Sequence, residues 1–221
     1  MALPRAEVSA GLLAELDDFE ALLRSIDDDA RSTPTRCGEW DVGDVASHTI
    51  GSLADVVAGR LDGLGSPEVT EREVTERRGR SLAELADECA AVREAAAGLL
   101  AVFDDDAWSA GAPGGYEGTL GDGVEALWYD TYLHADDIRS GLGQPSVPGD
   151  GLRAAASHLS VELTKRGWGP ATLALVGLPE FPVSGGGGRR IGGDPLAFTL
   201  VATGRADPAT LDLDPGVNVY A

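Results

Sequence analysis

The sequence predicts an α+β protein, in which an N-terminal four-helix bundle is followed by a small α+β unit. Apolar residues recur at helical spacing in four long segments before residue 143. A turn-rich segment, residues 144–150, then interrupts that spacing. Short apolar runs of strand length, bounded by glycine, follow the interruption. These observations predict two domains, residues 1–143 and residues 150–221.

The first and third predicted helices are amphipathic segments of ordinary composition. The apolar stripe of the first consists of Val8, Leu12, Leu16, Phe19, Leu23 and Ile26. The stripe of the third consists of Leu82, Leu85, Cys89, Val92, Ala96, Leu99 and Phe103. Because Cys89 falls inside its stripe, we interpret it as a core residue. The charged connection over residues 65–80 is interpreted as a loop.

The second predicted helix begins near Asp41, an N-cap candidate because aspartate accepts hydrogen bonds from free helix N–H groups. Asp44 lies three residues later and makes a weak variant of the capping box. His48 lies two turns into the helix, close to its apolar stripe. We expect the two aspartates to act only in capping, which leaves His48 as the residue of chemical interest.

The fourth predicted helix carries a carboxylate and an imidazole on one face. Its stripe consists of Leu120, Val124, Leu127, Thr131, His134 and Ile138. Asp130 precedes His134 by four residues, so both side chains project from the same side of the helix. With His48, they would form a two-histidine, one-carboxylate set that holds a catalytic metal and leaves a position open. The alternative is a hydrogen-bonded core histidine beside an Asp130 at the solvent edge.

Two segments are rich in glycine. Residues 108–123 lead into the fourth helix and are either a lid over the metal or a plain surface loop. Residues 185–188 are four glycines, which we interpret as a flexible hairpin. They do not form a phosphate-binding loop, because neither a Lys-Ser/Thr pair nor a helix start follows.

Beyond residue 150, the pattern predicts a helix over 151–166, strands at 171–176 and 189–191, a helix over 195–203 and an edge strand at 217–220. His158 belongs to the first of these helices and is interpreted as a surface or packing residue. This alternation is typical of a small α+β unit.

Composition limits the partners and the compartment. A net charge of −20 and a pI near 4.3 argue against nucleic acid and anionic membranes as partners. Cys37 and Cys89 are too few for a disulfide framework, which predicts buried free thiols in a reducing compartment. The N-terminus has no signal-peptide pattern and no segment has membrane-span length, so we expect a cytoplasmic protein. The only lysine, Lys165, lies outside the predicted bundle, which excludes a lysine nucleophile there.

Three sequence blocks resemble the mycothiol-dependent maleylpyruvate isomerase family of the DinB-like metal-binding superfamily. Residues 35–48 are similar to its opening block, in which threonine and cysteine precede tryptophan, valine, aspartate and histidine. Residues 130–143 are similar to its Glu-x-x-x-His-x-x-Asp block, which ends in Leu-Gly. Residues 193–195 with 204–205 resemble its closing block. The blocks keep the family's order and together span most of the chain.

The resemblance implies a DinB-like four-helix bundle in which His48, Asp130 and His134 bind a divalent metal, with zinc expected. It also implies that Asp137 hydrogen-bonds the His134 imidazole; the alternative is an exposed acid at a helix end. Arg205 would orient a substrate carboxylate if the second domain covers the open end of the bundle. The alternative for Arg205 is a surface residue at a helix end.

The family's activity implies mycothiol as thiol cosubstrate and a small electrophilic or unsaturated acid as substrate. The reaction would be cis–trans isomerisation or, with another electrophile, transfer of the thiol. A non-catalytic ligand-binding module and a metallohydrolase are the alternatives, although no general-base glutamate is evident beside either histidine. An Ala-, Gly- and Asp-rich, lysine-poor composition suits a GC-rich actinobacterial source, where mycothiol occurs. The oligomeric state is left open.

Two positions depart from the family's pattern. Asp130 stands where the family usually has glutamate, so its shorter arm must draw the helices together or leave a water between carboxylate and metal. Trp128 lies near a position where the family often has arginine, which leaves the substrate open.

Overall fold

The computed structural model describes residues 3–221, which are mostly helical with one small sheet. The helices are α1 (Arg5–Ser25), α2 (Val42–Val57), α3 (Pro67–Arg77), α4 (Leu82–Val102), α5 (Asp105–Ser109), α6 (Leu120–Gly141), α7 (Gly151–Lys165) and α8 (Pro195–Ala202). The strands are β1 (Ala171–Leu175), β2 (Phe181–Val183) and β3 (Arg189–Gly193). The predicted α+β class is confirmed. No helix in residues 3–221 is long and apolar enough to cross a membrane.

The chain divides into two compact units, Pro4–Val147 and a second that contains Pro148–Ala221. In the first, α1 and α2 each pack against both α4 and α6, which makes a four-helix core. The predicted stripes supply that core, because its most deeply buried side chains include Leu16, Phe19, Leu23, Leu85 and Ile138. Helix α3 packs on α2, outside this set of four.

Trp128 on α6 is among the largest side chains of this core and is only 1% exposed. A Cβ atom at Gly11 of α1 would lie 2.3 Å from the indole Cζ2 atom, well inside van der Waals contact. The absence of a side chain at Gly11 therefore makes room for the indole. Trp128 consequently acts in packing α6 against α1.

The starts of the two site-bearing helices are fixed by side-chain caps. Asp41 accepts a hydrogen bond from the Asp44 backbone N–H at 2.8 Å, which confirms Asp41 as the N-cap of α2. At α6, Thr119 and Asp122 exchange side-chain to backbone bonds in a capping box. These caps set the phase of α2 and α6, and so determine which residues face the core.

The prediction of a loop over residues 65–80 is wrong, because helix α3 lies there. Ser66 caps it through the Val69 N–H group, and Pro67 occupies the first turn. Its buried residues are Glu73, Val74 and Arg77. Since two of these three are charged, no apolar stripe reveals the helix in the sequence.

In the second unit, β1 lies between β2 and β3, antiparallel to β2 and parallel to β3. The four glycines therefore connect strands on opposite sides of β1, and the hairpin predicted there is wrong. Gly188 has φ +58°, and a Cβ atom there would lie 2.1 Å from the Pro170 carbonyl oxygen, so the connection needs glycine.

The edge strand predicted at residues 217–220 is also wrong. A short 3-10 helix, Pro215–Val217, begins in its place, and the Asp214 side chain caps it through the Gly216 N–H group. The Asp-Pro-Gly sequence favours a turn, and this local preference outweighs the apolar alternation that follows it.

Candidate metal centre

Helices α2 and α6 bring His48, Asp130 and His134 together. One donor atom from each residue lies within 4.8 Å of the others. The His134 Nε2 atom is 3.5 Å from Asp130 Oδ1, and the two imidazole rings meet edge to face with centroids 5.2 Å apart. The histidine side chains are mostly buried, whereas that of Asp130 is 31% exposed. The cluster therefore has one side accessible to solvent.

Each imidazole is held at its Nδ1 atom by a different buried carboxylate. Glu73 Oε2 lies 2.8 Å from His48 Nδ1, and Asp137 Oδ2 lies 3.0 Å from His134 Nδ1. A carboxylate at Nδ1 favours the tautomer that carries its proton there, which leaves the Nε2 lone pair for a metal. The arrangement fits a divalent metal bound by two Nε2 atoms and the Asp130 carboxylate.

The charges around His48 favour a cation at this position. Burial lowers the pKa of His48, but the hydrogen bond that the ring donates to Glu73 and the charges of Asp130 and Glu73 outweigh it, so the pKa is raised. The same carboxylates would stabilise a metal ion beside the ring in place of the proton.

Asp137 is fully buried, so it is not the exposed helix-end acid that the sequence left open. Besides His134, it accepts hydrogen bonds from Arg36 Nε at 2.6 Å and from the Cys37 thiol at 2.8 Å. Arg36 also pairs with buried Asp136. One guanidinium thus compensates two buried carboxylates, and the Asp137 carboxylate joins Arg36, Cys37 and His134.

The turn between α1 and α2 supplies further residues to the site. Thr35 and Trp40 are joined by a backbone hydrogen bond of 3.0 Å, so Cys37 lies at the tip of a closed turn. The Cys37 thiol is partly exposed, not buried as predicted, and its Sγ atom lies 3.9 Å from His134 Nδ1. The Trp40 ring packs beside the His48 ring, with the two ring centroids 5.0 Å apart.

Arg205 belongs to the second unit, immediately after α8. Its backbone N–H donates to Leu200 O at 2.7 Å, while Gly204, with φ +74°, donates to Val201 O. These two bonds are the Schellman end of a helix. The residue also lines a pocket of about 430 Å³, whose other walls include Val201, Ala206, Asp207, Pro208, Pro215, Asn218 and Ala221.

Comparison with known proteins agrees with this architecture. The sequence model of the mycothiol maleylpyruvate isomerase N-terminal domain matches residues 12–139. The crystal structure of a mycothiol-dependent maleylpyruvate isomerase has a TM-score of 0.68 at 16% identity, with 96% of both chains covered. A crystal structure of a histidine-to-alanine mutant of the mycothiol-dependent maleylpyruvate isomerase has a TM-score of 0.65 at 17% identity, also with 96% of both chains covered. No curated protein matches the chain. The family match spans more than half of the residues, and the chain therefore belongs to the mycothiol maleylpyruvate isomerase N-terminal domain family.

Proposed function

We propose that this protein is a metal-dependent, mycothiol-using enzyme of the maleylpyruvate isomerase type. Its open metal site would consist of His48, Asp130 and His134, with zinc as the metal. The observation that carries the proposal is the pair of imidazoles, each held at Nδ1 by a buried carboxylate and both beside the Asp130 carboxylate. Three protein ligands are typical of catalytic zinc, whereas structural zinc has four.

A zinc ion bound there would lower the pKa of a thiol ligand, so that the thiol is a nucleophilic thiolate at neutral pH. The protein's own groups would orient the site. Glu73 and Asp137 hold the two imidazoles, and Arg36 holds Asp137 in turn. The exposed side of Asp130 is the expected entrance for mycothiol.

In the proposed reaction, the mycothiol thiolate adds to the cis double bond of an unsaturated acid. The conjugated carbonyl takes up the electron pair as an enolate, and the former double bond becomes a single bond that rotates. Elimination then expels the thiolate and restores the double bond as trans, so thiol is not consumed. With an acceptor that does not eliminate the thiol, the enolate would instead take up the proton that the thiol released, and the product would be a stable thioether, which is S-transferase activity.

Arg205 is the proposed binding residue for the substrate carboxylate. Arg205 lines a pocket of the second unit, and a guanidinium binds a carboxylate through two parallel hydrogen bonds. Its backbone already completes the helix end, so the side chain is not needed for that purpose.

A metallohydrolase is the second candidate, and one observation bears on it. The sequence reveals no general-base glutamate beside either histidine, but in the structure Glu73 contacts His48. That contact is made at Nδ1, however, on the opposite edge of the ring from Nε2. Glu73 therefore does not face a metal-bound water, which disfavours it as the general base.

The test combines metal content with thiol chemistry. After zinc reconstitution, the unmodified protein should bind one equivalent, H134A should lose it, and H158A, which changes the histidine of the second unit, should retain it. The zinc-loaded protein should then isomerise a cis-enoic keto acid only with mycothiol present.

Equal zinc content in all three proteins would contradict the proposed metal site. Full zinc binding without isomerisation, thiol transfer or mycothiol binding would favour a non-catalytic module.

A further inference from the structure

Helix α3 lies outside the four-helix core, yet it brings one buried carboxylate to the candidate metal centre. We propose that Glu73 is a positioning residue, which fixes the tautomer and orientation of His48 and strengthens its Nε2 atom as a metal ligand. This inference rests on the proposed function, because it assumes that His48 binds the metal.

The burial of Glu73 is the first argument. Its side chain is 2% exposed, whereas Glu76 and Glu71 of the same helix are 49% and 65% exposed. A buried carboxylate is costly unless a partner compensates it. The partner of Glu73 Oε2 is His48, while the Oε1 atom has no hydrogen-bond partner within residues 3–221. Packing alone would be served better by an apolar residue.

The second argument is how closely α3 approaches α2. A Cβ atom at Gly51, three residues after His48, would lie 2.6 Å from the Glu73 Cβ atom. Glycine at this position therefore lets the two helices come close enough for a 2.8 Å contact between Glu73 and His48. Arg77, the last residue of α3, lies one turn after Glu73. Its Nη2 atom is 2.7 Å from Glu88 Oε1 of α4, and this ion pair holds the C-terminal end of α3 against α4.

The third argument is a difference between the two orienting carboxylates. Asp137 shares its charge with Arg36 and with the Cys37 thiol, as well as with His134. The Glu73 carboxylate has no arginine bound to it among the hydrogen bonds and ion pairs of the described chain, and its hydrogen-bonding partner there is His48. Removing that charge should weaken metal binding roughly 10- to 100-fold, the usual range for such partners.

The first test reads the tautomer of His48 in metal-free protein, by two-bond ¹H–¹⁵N NMR at a pH above the pKa of His48. The unmodified protein and E76Q, the exposed control on the same helix, should carry the ring proton on Nδ1. E73A should shift the proton towards Nε2, whereas E73Q should keep it on Nδ1, because the amide oxygen still accepts. An unchanged tautomer in E73A would overturn the proposal.

The second test measures the zinc dissociation constant by competition with a chelator. E73A should bind zinc at least tenfold more weakly, E73Q should fall between it and the unmodified protein, and E76Q should be unchanged. If H48A abolishes zinc binding while E73A and E73Q bind normally, the inference on Glu73 fails and the proposed site stands. If H48A binds zinc normally, the proposed metal site itself fails. Should E73A not fold, the intermediate affinity of E73Q decides.

Discussion

Asp137 lies one helical turn after His134 and holds its Nδ1 atom at 3.0 Å, so a single helix carries both a candidate ligand and the carboxylate that orients it. The same carboxylate is bound by Arg36, from the turn before α2. The orientation of His134 consequently depends on two separate parts of the chain. This dependence can be tested, because Asp136 binds Arg36, whereas the carboxylate at His134 Nδ1 is that of Asp137.

D137A should weaken zinc binding about tenfold, because the His134 ring loses the partner that fixes its tautomer. It should also lower the free energy of unfolding by about 2 kcal/mol, since a hydrogen bond between charged groups is lost. D136N, the matched variant, should destabilise the protein without changing zinc affinity. Chelator competition and urea unfolding measure the two quantities. Equal zinc affinity in D137A and D136N would contradict the role of Asp137.

D130E should retain zinc, because it keeps a carboxylate at a position that is 31% exposed. D130N should bind zinc at least tenfold more weakly, because it removes the ligand's negative charge and nearly preserves its shape. Zinc stoichiometry after dialysis distinguishes the two variants. Full zinc retention by D130N would exclude Asp130 as a ligand.

The two cysteines should differ in reactivity. Burial raises the pKa of Cys89 to about 12, with the nearby acidic residues Glu20 and Asp17 adding to the effect. At pH 8 very few molecules then carry the Cys89 thiolate, which is the reactive form. Partly exposed Cys37 should therefore be the one thiol that reacts with a disulfide reagent in native protein, and both should react in denaturant. C37S should abolish the native reaction, whereas C89S should leave it intact.

R205A should lower turnover at least tenfold and raise the substrate KM, while zinc content and melting temperature stay unchanged. The helix end at Arg205 is made by backbone groups, so removing the side chain leaves it intact. R190A, which removes an exposed arginine of the same unit, is the control. A lower melting temperature with normal turnover per folded molecule would assign Arg205 a structural role.

Two glycine-to-alanine variants should have opposite effects on stability. G11A should destabilise the protein by about 1–3 kcal/mol, because its methyl group overlaps the buried indole of Trp128. G98A should stabilise it by about 0.5–1 kcal/mol, because Gly98 lies within α4 and a Cβ atom there meets nothing within 4 Å. Urea denaturation measures both. Similar stability of the two variants would contradict the packing of α6 on α1.

The sequence was informative where apolar spacing determines structure and less so where charged residues are buried. Helical spacing was enough to predict that Asp130 and His134 share a face, and the structure brings them near His48. Glu73 was missed because it lies in a segment whose mostly polar composition resembles a loop. What marks Glu73 as part of the site is its contact with His48 on another helix. The spacing of residues within one segment does not reveal such a contact.

Local turn chemistry explains one of the other errors, and contacts between distant segments explain two. At residues 214–216 the Asp-Pro-Gly sequence sets a 3-10 turn, although the residues after it alternate like a strand. The four-glycine segment passes close to Pro170, which a side chain at Gly188 would prevent. This contact joins segments that are separated along the chain. Arg36 was likewise missed, because its carboxylate partners lie 100 and 101 residues away in the sequence.

The closed turn between α1 and α2 limits where the chain can accept inserted residues. Pro34 and Asp41 pair across it, and a Cβ atom at Gly141 of α6 would lie 2.8 Å from the Pro34 carbonyl oxygen. Within it, Arg36 and Cys37 reach the surroundings of one imidazole, while Trp40 reaches the other. Inserting even one residue here would shift these side chains out of register with both rings. Natural length variation should therefore accumulate in the exposed segment over residues 144–150, and the spacing from Arg36 to His48 should remain constant.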